Sequence, residues 1–158
     1  MLFRSSKTSV RIVAGGTPAT ILTDVFDFCL TPSGSKVVVH RPVAQTLSVI
    51  NSNGSGLVDR ISGVPVDTDV IGCSTENHAY FARDVSGSAP QIRGFTLGGT
   101  LVNDALIAYA NAAYSGSVID AKRESLYYSI FDISSGERRW YAIRLTSGTG
   151  GYLHLLRS

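Results

Sequence analysis

The chain has 158 residues, of which 44% are apolar and 16% are charged. This length fits a single β domain over residues 1–158 with a substantial core. The charged fraction is well below the usual quarter, so much of the surface is either uncharged or covered by other subunits. The net charge of +2 is small and the basic residues are scattered, whereas nucleic-acid binding needs a coherent basic stripe. The composition therefore argues against a nucleic-acid partner.

The N-terminal residues and the hydropathy of the chain allow a prediction of its cellular location. No apolar stretch near Met1 is long enough for a secretory signal, and no window approaches the roughly 18 apolar residues of a membrane span. We expect a soluble protein that is made in the cytosol without a signal peptide and has no membrane span. Cys29 and Cys73 lie in apolar, strand-like runs and are interpreted as buried free thiols, with a disulfide as the alternative.

Residues 8–23 are predicted to form an N-terminal hairpin. Two short runs, 9–13 and 19–23, are rich in Val, Ile, Thr and Leu, and a Gly-Gly-Thr-Pro turn separates them. This hairpin lies outside the units that follow, so it is the element expected to complete another sheet or to pair across a subunit boundary.

Residues 27–61 form the first of three predicted units. Pro32 and Gly34 suit a turn between the first two strands, and Asn53-Gly54 favours the positive φ of a hairpin turn between the last two. The unit is therefore predicted to be a four-stranded antiparallel meander, with strands at 28–30, 36–41, 46–50 and 57–61.

The same layout recurs in residues 70–106 and 117–156. The second strands of the three units begin at Lys36, His78 and Ser125, a period of a little over forty residues that is typical of four-stranded propeller blades. One segment, 103–114, has two interpretations. An Asn or Asp cap and an Ala-rich body favour a helix, whereas the repeat requires a strand that continues into a loop.

Two turn patterns carry a resemblance to a known superfamily. The run 30–39, LTPSGSKVVV, and the segment 47–57, LSVINSNGSGL, resemble blades of WD40-like and YVTN-type β-propellers. Those repeats carry a P-D-G turn and later a hydrophobic-x-D-x-x-x-G turn. Here Ser33 replaces the first Asp and Asn51 replaces the second, and residues 130–137 are the best copy of the second turn. The resemblance implies an all-β fold of about three four-stranded, antiparallel, propeller-blade-like units plus the hairpin.

The number of units matters because propellers usually close with about four to eight blades. Three units and a hairpin leave an apolar face and strand edges uncovered. Subunits that complete a ring together, a compact barrel or sandwich, and a fragment of a longer protein are the three outcomes considered. Symmetric homo-oligomerisation is favoured, because it is the common way to cover such edges.

An aromatic cluster in the third unit is the candidate binding site. Its neighbouring side chains point alternately to opposite faces of the strands, so one member of each adjacent aromatic pair is expected in the core and the other at a surface. Trp, Tyr and Arg dominate interface hot spots and also suit sugars. The candidate ligand- or partner-binding residues are Tyr127, Tyr128, Arg138, Trp140 and Tyr141.

No catalytic pattern accompanies these residues. The histidines, His40, His78 and His154, lie far apart without metal-ligand spacing, and neither a nucleophile elbow nor a P-loop is present. We therefore expect no enzyme, no cofactor and no metal site. The leading hypothesis is a non-enzymatic structural or assembly protein, a homo-oligomeric β module that binds other structural proteins, for example in a phage tail, baseplate or capsid decoration. The alternative is a carbohydrate- or receptor-binding propeller-type module with a glycan ligand.

Overall fold

The computed structural model describes residues 9–12, 19–83, 91–106, 112–120, 125–144 and 153–156. Parts of the predicted hairpin and units, such as 13–18, 84–90 and 145–152, lie outside the described residues. Fourteen strands lie within the described ranges: β1 Ser9–Ile12, β2 Ala19–Thr23, β3 Asp27–Leu30, β4 Lys36–Arg41, β5 Thr46–Asn51, β6 Val58–Ser62, β7 Asp69–Cys73, β8 His78–Arg83, β9 Gln91–Thr96, β10 Leu101–Leu106, β11 Ala112–Asp120, β12 Ser125–Asp132, β13 Arg138–Arg144 and β14 Leu153–Leu156.

These strands form one two-stranded sheet and three four-stranded sheets, all antiparallel. β1 and β2 form the hairpin sheet, β3 to β6 the first sheet, β7 to β10 the second sheet, and β11 to β14 the third sheet. In each four-stranded sheet, strands that are neighbours in sequence are also neighbours in space. The predicted all-β fold of three four-stranded units and an N-terminal hairpin is confirmed.

Glycines set the two predicted turns of the first sheet. Gly34 has a φ of 72° and its N–H donates to the Thr31 carbonyl at 2.8 Å. Gly54 has a φ of 88° and donates to the Asn51 carbonyl at the same distance. Glycine reaches positive φ without a steric penalty, so both turns reverse the chain within a few residues and keep β3 to β6 in one meander.

Residues 103–106 and 112–114 are strands, so of the two alternatives for this segment the helix is wrong where the structure describes it. Residues 103–106 belong to β10, which pairs with β9, and residues 112–114 begin β11, which pairs with β12; residues 107–111 lie outside the described part. Ladder pairing in two sheets outweighs the helix propensity of the Ala-rich run. The described residues contain no helix that could cross a membrane.

Apolar side chains form three layers between successive sheets. Strand alternation divides them, since Val37 and Val39 face the hairpin side of the first sheet while Val38 faces the second sheet. Each layer buries side chains from both of its neighbours. The main members are Leu22, Val25, Val37, Val39 and Ile50 on the hairpin side; Val38, Leu47, Val49, Phe81 and Phe95 between the first and second sheets; and Tyr80, Ile92, Leu126, Tyr128, Ile130 and Tyr141 between the second and third sheets.

The first strands of the three sheets are neighbours, because β7 contacts both β3 and β11. A carboxylate oxygen of Asp27 in β3 accepts a hydrogen bond from the Val70 N–H in β7 at 2.7 Å. Near this edge, Glu76 accepts hydrogen bonds from the Ser33 N–H at 2.6 Å and the Ser33 hydroxyl at 2.8 Å. These bonds lower the pKa of Glu76. Hydrogen bonds to Asp27 and Glu76 therefore join the first and second sheets at this seam.

The two cysteines meet at the same seam. Both are free thiols, as expected, and both contribute to the layer between the first and second sheets. A hydrogen bond with Cys73, together with burial, raises the pKa of Cys29. A buried thiol with a raised pKa is a poor nucleophile, so the pair contributes packing at this seam.

Candidate interaction surface

The inner face of the third sheet is packed against the second sheet. Tyr128 and Tyr141 are directly paired across β12 and β13, and their rings stack with centroids 5.2 Å apart and an interplanar angle of 16°. Both side chains are fully buried, together with Leu126 and Ile130. These aromatic residues stabilise the seam with the second sheet and present no surface to a ligand.

The opposite face of the third sheet carries several exposed large side chains, and we call it the open face. The register places Val118 beside Tyr127 and Phe131 beside Arg138, and Trp140 lies on the same side opposite Ser129. Val118 is 58% exposed, Trp140 42% and Phe131 38%, while Tyr127 is half-buried and Arg138 exposed. The open face is therefore defined by Val118, Tyr127, Phe131, Arg138 and Trp140.

The turn that joins β12 to β13 gathers charges at one end of this sheet. Asp132 accepts hydrogen bonds from the Ser134 hydroxyl at 2.6 Å and the Ser134 N–H at 3.0 Å. These bonds and one from the Ser135 N–H lower the pKa of Asp132 to about 2. Arg139 forms ion pairs with Glu137 at 3.1 Å and Asp132 at 3.7 Å. Asp132, Glu137 and Arg139 order the turn. Their neighbour Arg138, paired with Phe131, is the charged residue of this turn end that belongs to the open face.

Other titratable groups with shifted pKa values lie in the first sheet, away from the open face. His40 is fully buried, with its ring edge-on to Phe26 at 5.7 Å, and burial lowers its pKa. A hydrogen bond from Ser48 at 2.6 Å is the main cause that lowers the pKa of Asp59, and Arg41 adds an ion pair at 3.1 Å. Each shift has a structural cause. Among the described residues, no group of three or more metal-ligating side chains converges.

The five candidate residues thus divide between two faces of one sheet. The structure places Tyr127, Arg138 and Trp140 on the open face, and Tyr128 and Tyr141 in the core. Sequence reasoning did not include Val118 and Phe131, which share the open face. Strand alternation from Tyr127 identifies Phe131 at once, whereas Val118 needs the β11 register, which no local pattern specified.

The comparisons with known proteins identify the fold. No family model and no curated protein matches the sequence, but solved structures do. A chain in a nidogen/laminin complex matches with a TM-score of 0.66 and 16% identity, covering 94% of this chain and 57% of that one. TolB from Acinetobacter baumannii matches with a TM-score of 0.66 and 13% identity, covering 96% and 38%. Regucalcin, a calcium-binding protein from Agrobacterium tumefaciens, matches with a TM-score of 0.54 and 16% identity, covering 77% of this chain and 43% of that one.

These neighbours are β-propeller-type proteins, in agreement with the resemblance seen in the turn motifs. At 13% to 16% identity the likeness concerns the fold alone. The chain spans between 38% and 57% of the lengths of these three structures. In propellers, four-stranded blades are arranged around a central channel, and the neighbouring positions of β3, β7 and β11 agree with such an arrangement. The chain has a β-propeller-type fold.

Proposed function

We propose that this chain is a non-enzymatic structural module that forms a homo-oligomer within a larger protein assembly. One observation carries the proposal. The faces between successive sheets are covered by the next sheet along the chain, whereas the open face carries Val118, Phe131 and Trp140 into solvent. A propeller blade cannot bury both faces alone, so another protein surface is required to cover this one.

The chemistry of the open face supports a protein partner. Tyr127 and Trp140 are aromatic and Arg138 is cationic, the three residue types enriched at interface hot spots. Contiguous apolar patches of a few hundred Å² on soluble proteins commonly mark interaction sites. A virion is one assembly in which such a module would serve beside other structural proteins, for example as a tail, baseplate or capsid-decoration protein.

The test is the mass of the chain in solution. Size-exclusion chromatography with light scattering, at concentrations from about 1 to 100 µM, is expected to show a defined oligomer, because covering an apolar face stabilises the associated state. A homogeneous monomer throughout this range would contradict the proposal.

A glycan-binding module is the second candidate, and the exposure of Trp140 favours it. Exposed aromatic rings stack on the apolar faces of sugars, and Tyr127 and Arg138 lie on the same surface as Trp140. Binding on a glycan array that disappears in Trp140→Ala but survives in Val43→Ala, a change at an exposed position in the turn between β4 and β5, would favour this function. Binding that both variants retain would place the sugar elsewhere.

A further inference from the structure

Cys29 and Cys73 lie in the first strands of two successive sheets. Cys29 belongs to β3 and Cys73 to β7, and these two strands are in contact. A carboxylate oxygen of Asp27 in β3 accepts a hydrogen bond from the Val70 N–H in β7 at 2.7 Å. Because the Asp side chain is short, this bond keeps the two backbones within about 7 Å of each other. The strands that carry the cysteines are therefore close neighbours.

Both cysteines point into the layer between the first and second sheets. Strand alternation places Cys29 on the same side of β3 as Asp27. Val70 and Cys73 both belong to the layer, and Cys29 packs against it. The register of β7 shifts between Val70 and Gly72, so Cys73 faces the same way as Val70 although three residues separate them. The two thiols consequently lie within hydrogen-bonding range of each other.

This arrangement satisfies what a disulfide bond requires. Cysteines whose Cα atoms are more than about 7 Å apart, or whose Cβ atoms point apart, cannot be joined without backbone movement. Here the backbones of β3 and β7 are held together two residues before Cys29, and the thiols of Cys29 and Cys73 already face each other. A bond between the two sulfur atoms therefore needs only a small adjustment of the side chains.

We propose that Cys29 and Cys73 form a reversible disulfide bond when the protein is exposed to a small-molecule disulfide, and that this bond joins the first sheet to the second. Cys29 is half-buried and Cys73 is buried, so the oxidant reaches Cys29 first. The Cys29 thiolate attacks one sulfur of the oxidant, which forms a mixed disulfide and releases one thiolate. The Cys73 thiolate then attacks the Cys29 sulfur and displaces the second. The protein loses two electrons and two protons, and the oxidant is reduced to two thiols.

The same surroundings make the reaction slow and its product stabilising. The hydrogen bond with Cys73, burial and the charge of Asp27 raise the pKa of Cys29. A raised pKa leaves little thiolate at neutral pH, so the reduced pair persists unless an oxidant is abundant. Once formed, the bond closes the chain between residues 29 and 73 and restricts the unfolded state. Oxidation is therefore expected to strengthen the seam between the two sheets.

The experiment exposes the folded wild-type chain to oxidised glutathione, then alkylates the remaining thiols and measures the mass. We expect a chain that is lighter by two hydrogen atoms and takes up no alkylating agent. Lys36 and Arg60 lie between the cysteines, so trypsin releases the pair as two peptides joined by a bond that dithiothreitol breaks. The Tm should rise by roughly 5 to 10 °C and return to its starting value after reduction.

Two serine variants separate the roles of the cysteines. In Cys73→Ser, no second thiol displaces the glutathione from Cys29, so the chain should remain joined to one glutathione. In Cys29→Ser, the buried Cys73 should react little with the same oxidant. Neither variant should gain Tm on oxidation, and circular dichroism of the reduced proteins confirms that both are folded.

Three results would contradict the proposal. The first is a folded wild type whose thiols stay open to alkylation, although the same oxidant joins them after unfolding in urea. The second is a mixed disulfide with glutathione, or a disulfide between two chains, in place of the bond within one chain. The third is a joined pair that lowers the Tm, since the bond would then strain the seam. The proposed assembly function does not depend on any of these results.

Discussion

Both faces of the third sheet carry aromatic side chains, but their surroundings are opposite. The inner face carries Tyr128 and Tyr141, which are at most 1% exposed, and the open face carries Trp140, which is 42% exposed. Both faces come from the same strands and alternate residue by residue. The difference between them lies in the neighbour: the second sheet covers one face, and no described residue of this chain covers the other to the same degree.

This contrast shows which side chains contribute most to the free energy of folding. An apolar side chain stabilises the protein only when it leaves water, at about 25 cal/mol per Å² of apolar surface buried. The aromatic residues of the inner face make this contribution within the chain. Those of the open face make only part of this contribution within the chain, since Trp140 is still 42% and Phe131 38% exposed; under the proposed function, association would bury the rest.

The largest expected effect separates the two faces directly. Tyr128→Ala removes a fully buried ring that stacks on Tyr141 and is expected to lower the free energy of unfolding by about 3 to 5 kcal/mol. Tyr127→Ala, on the open face, is expected to cost about 1 kcal/mol or less. Urea unfolding at submicromolar concentration, where association is weakest, measures both. Equal losses would show that the two faces are equally buried in the single chain.

The packing of the covered seam is tested by a smaller change. A Cβ at Gly94 would lie 2.7 Å from Tyr80 Cε1, on the face of the second sheet that meets the third. Gly94→Ala is therefore expected to destabilise the protein by about 1 to 3 kcal/mol, because the tyrosine ring must move within a packed layer. Gly98→Ala is the control, since the nearest atom to its Cβ is Thr96 Oγ1 at 3.5 Å; its effect should stay within about 0.5 kcal/mol. If Gly94→Ala were as mild as its control, the seam would have room to spare.

Burial also disfavours the charged form of His40. A smaller effect, a pH dependence of the free energy of unfolding, is therefore expected. Burial lowers the pKa of His40 in the folded protein from its ordinary 6.5, while hydrogen bonding to Thr68 and the nearby Asp27, Asp24 and Asp67 oppose that shift. As the pH falls below about 6.5, His40 therefore binds protons in the unfolded chain before it does so in the folded protein. The stability that comes from keeping His40 neutral is complete above that pH, and it is lost as the pH falls through the folded pKa.

Urea unfolding of the wild type and of His40→Leu between pH 7.5 and 5 measures this effect. The variant cannot bind the proton, so its free energy of unfolding should fall less over this range. A wild-type curve that falls no more steeply than that of the variant would show that His40 is not held neutral by the seam.

Most of the architecture could be predicted because it depends on local signals. β4 begins and ends at the predicted residues, and β8 and β12 begin where predicted, at His78 and Ser125, since turn residues such as Gly34 and runs of alternating apolar residues act over a few positions. Of the two alternatives left open for 103–114, the helix is wrong in the described residues, where helix propensity competed with pairing to β9 and β12. The start of β11 at Ala112, five residues before the predicted 117, depends on its register with β12.

The turn motifs also show the limit of pattern matching. The Asn51 turn joins the third and fourth strands of the first sheet, whereas the Asp132 turn joins the second and third strands of the third sheet. The same short sequence pattern therefore occupies two different places, because its side-chain hydrogen bonds stabilise any tight reversal. Likewise, alternation placed Tyr127 and Tyr128 on opposite faces, but only the packing of the second sheet determined which of them is buried.

The exposure of Trp140, the single tryptophan of the chain, tests the central claim most directly. Acrylamide quenching of its fluorescence, measured from submicromolar to about 100 µM protein, reports whether the open face is covered. The account predicts efficient quenching at low concentration, and weaker quenching with an emission shift to shorter wavelength as the oligomer forms. Unchanged quenching across the range in which light scattering shows an oligomer would contradict it, because the assembly would then leave the open face in water.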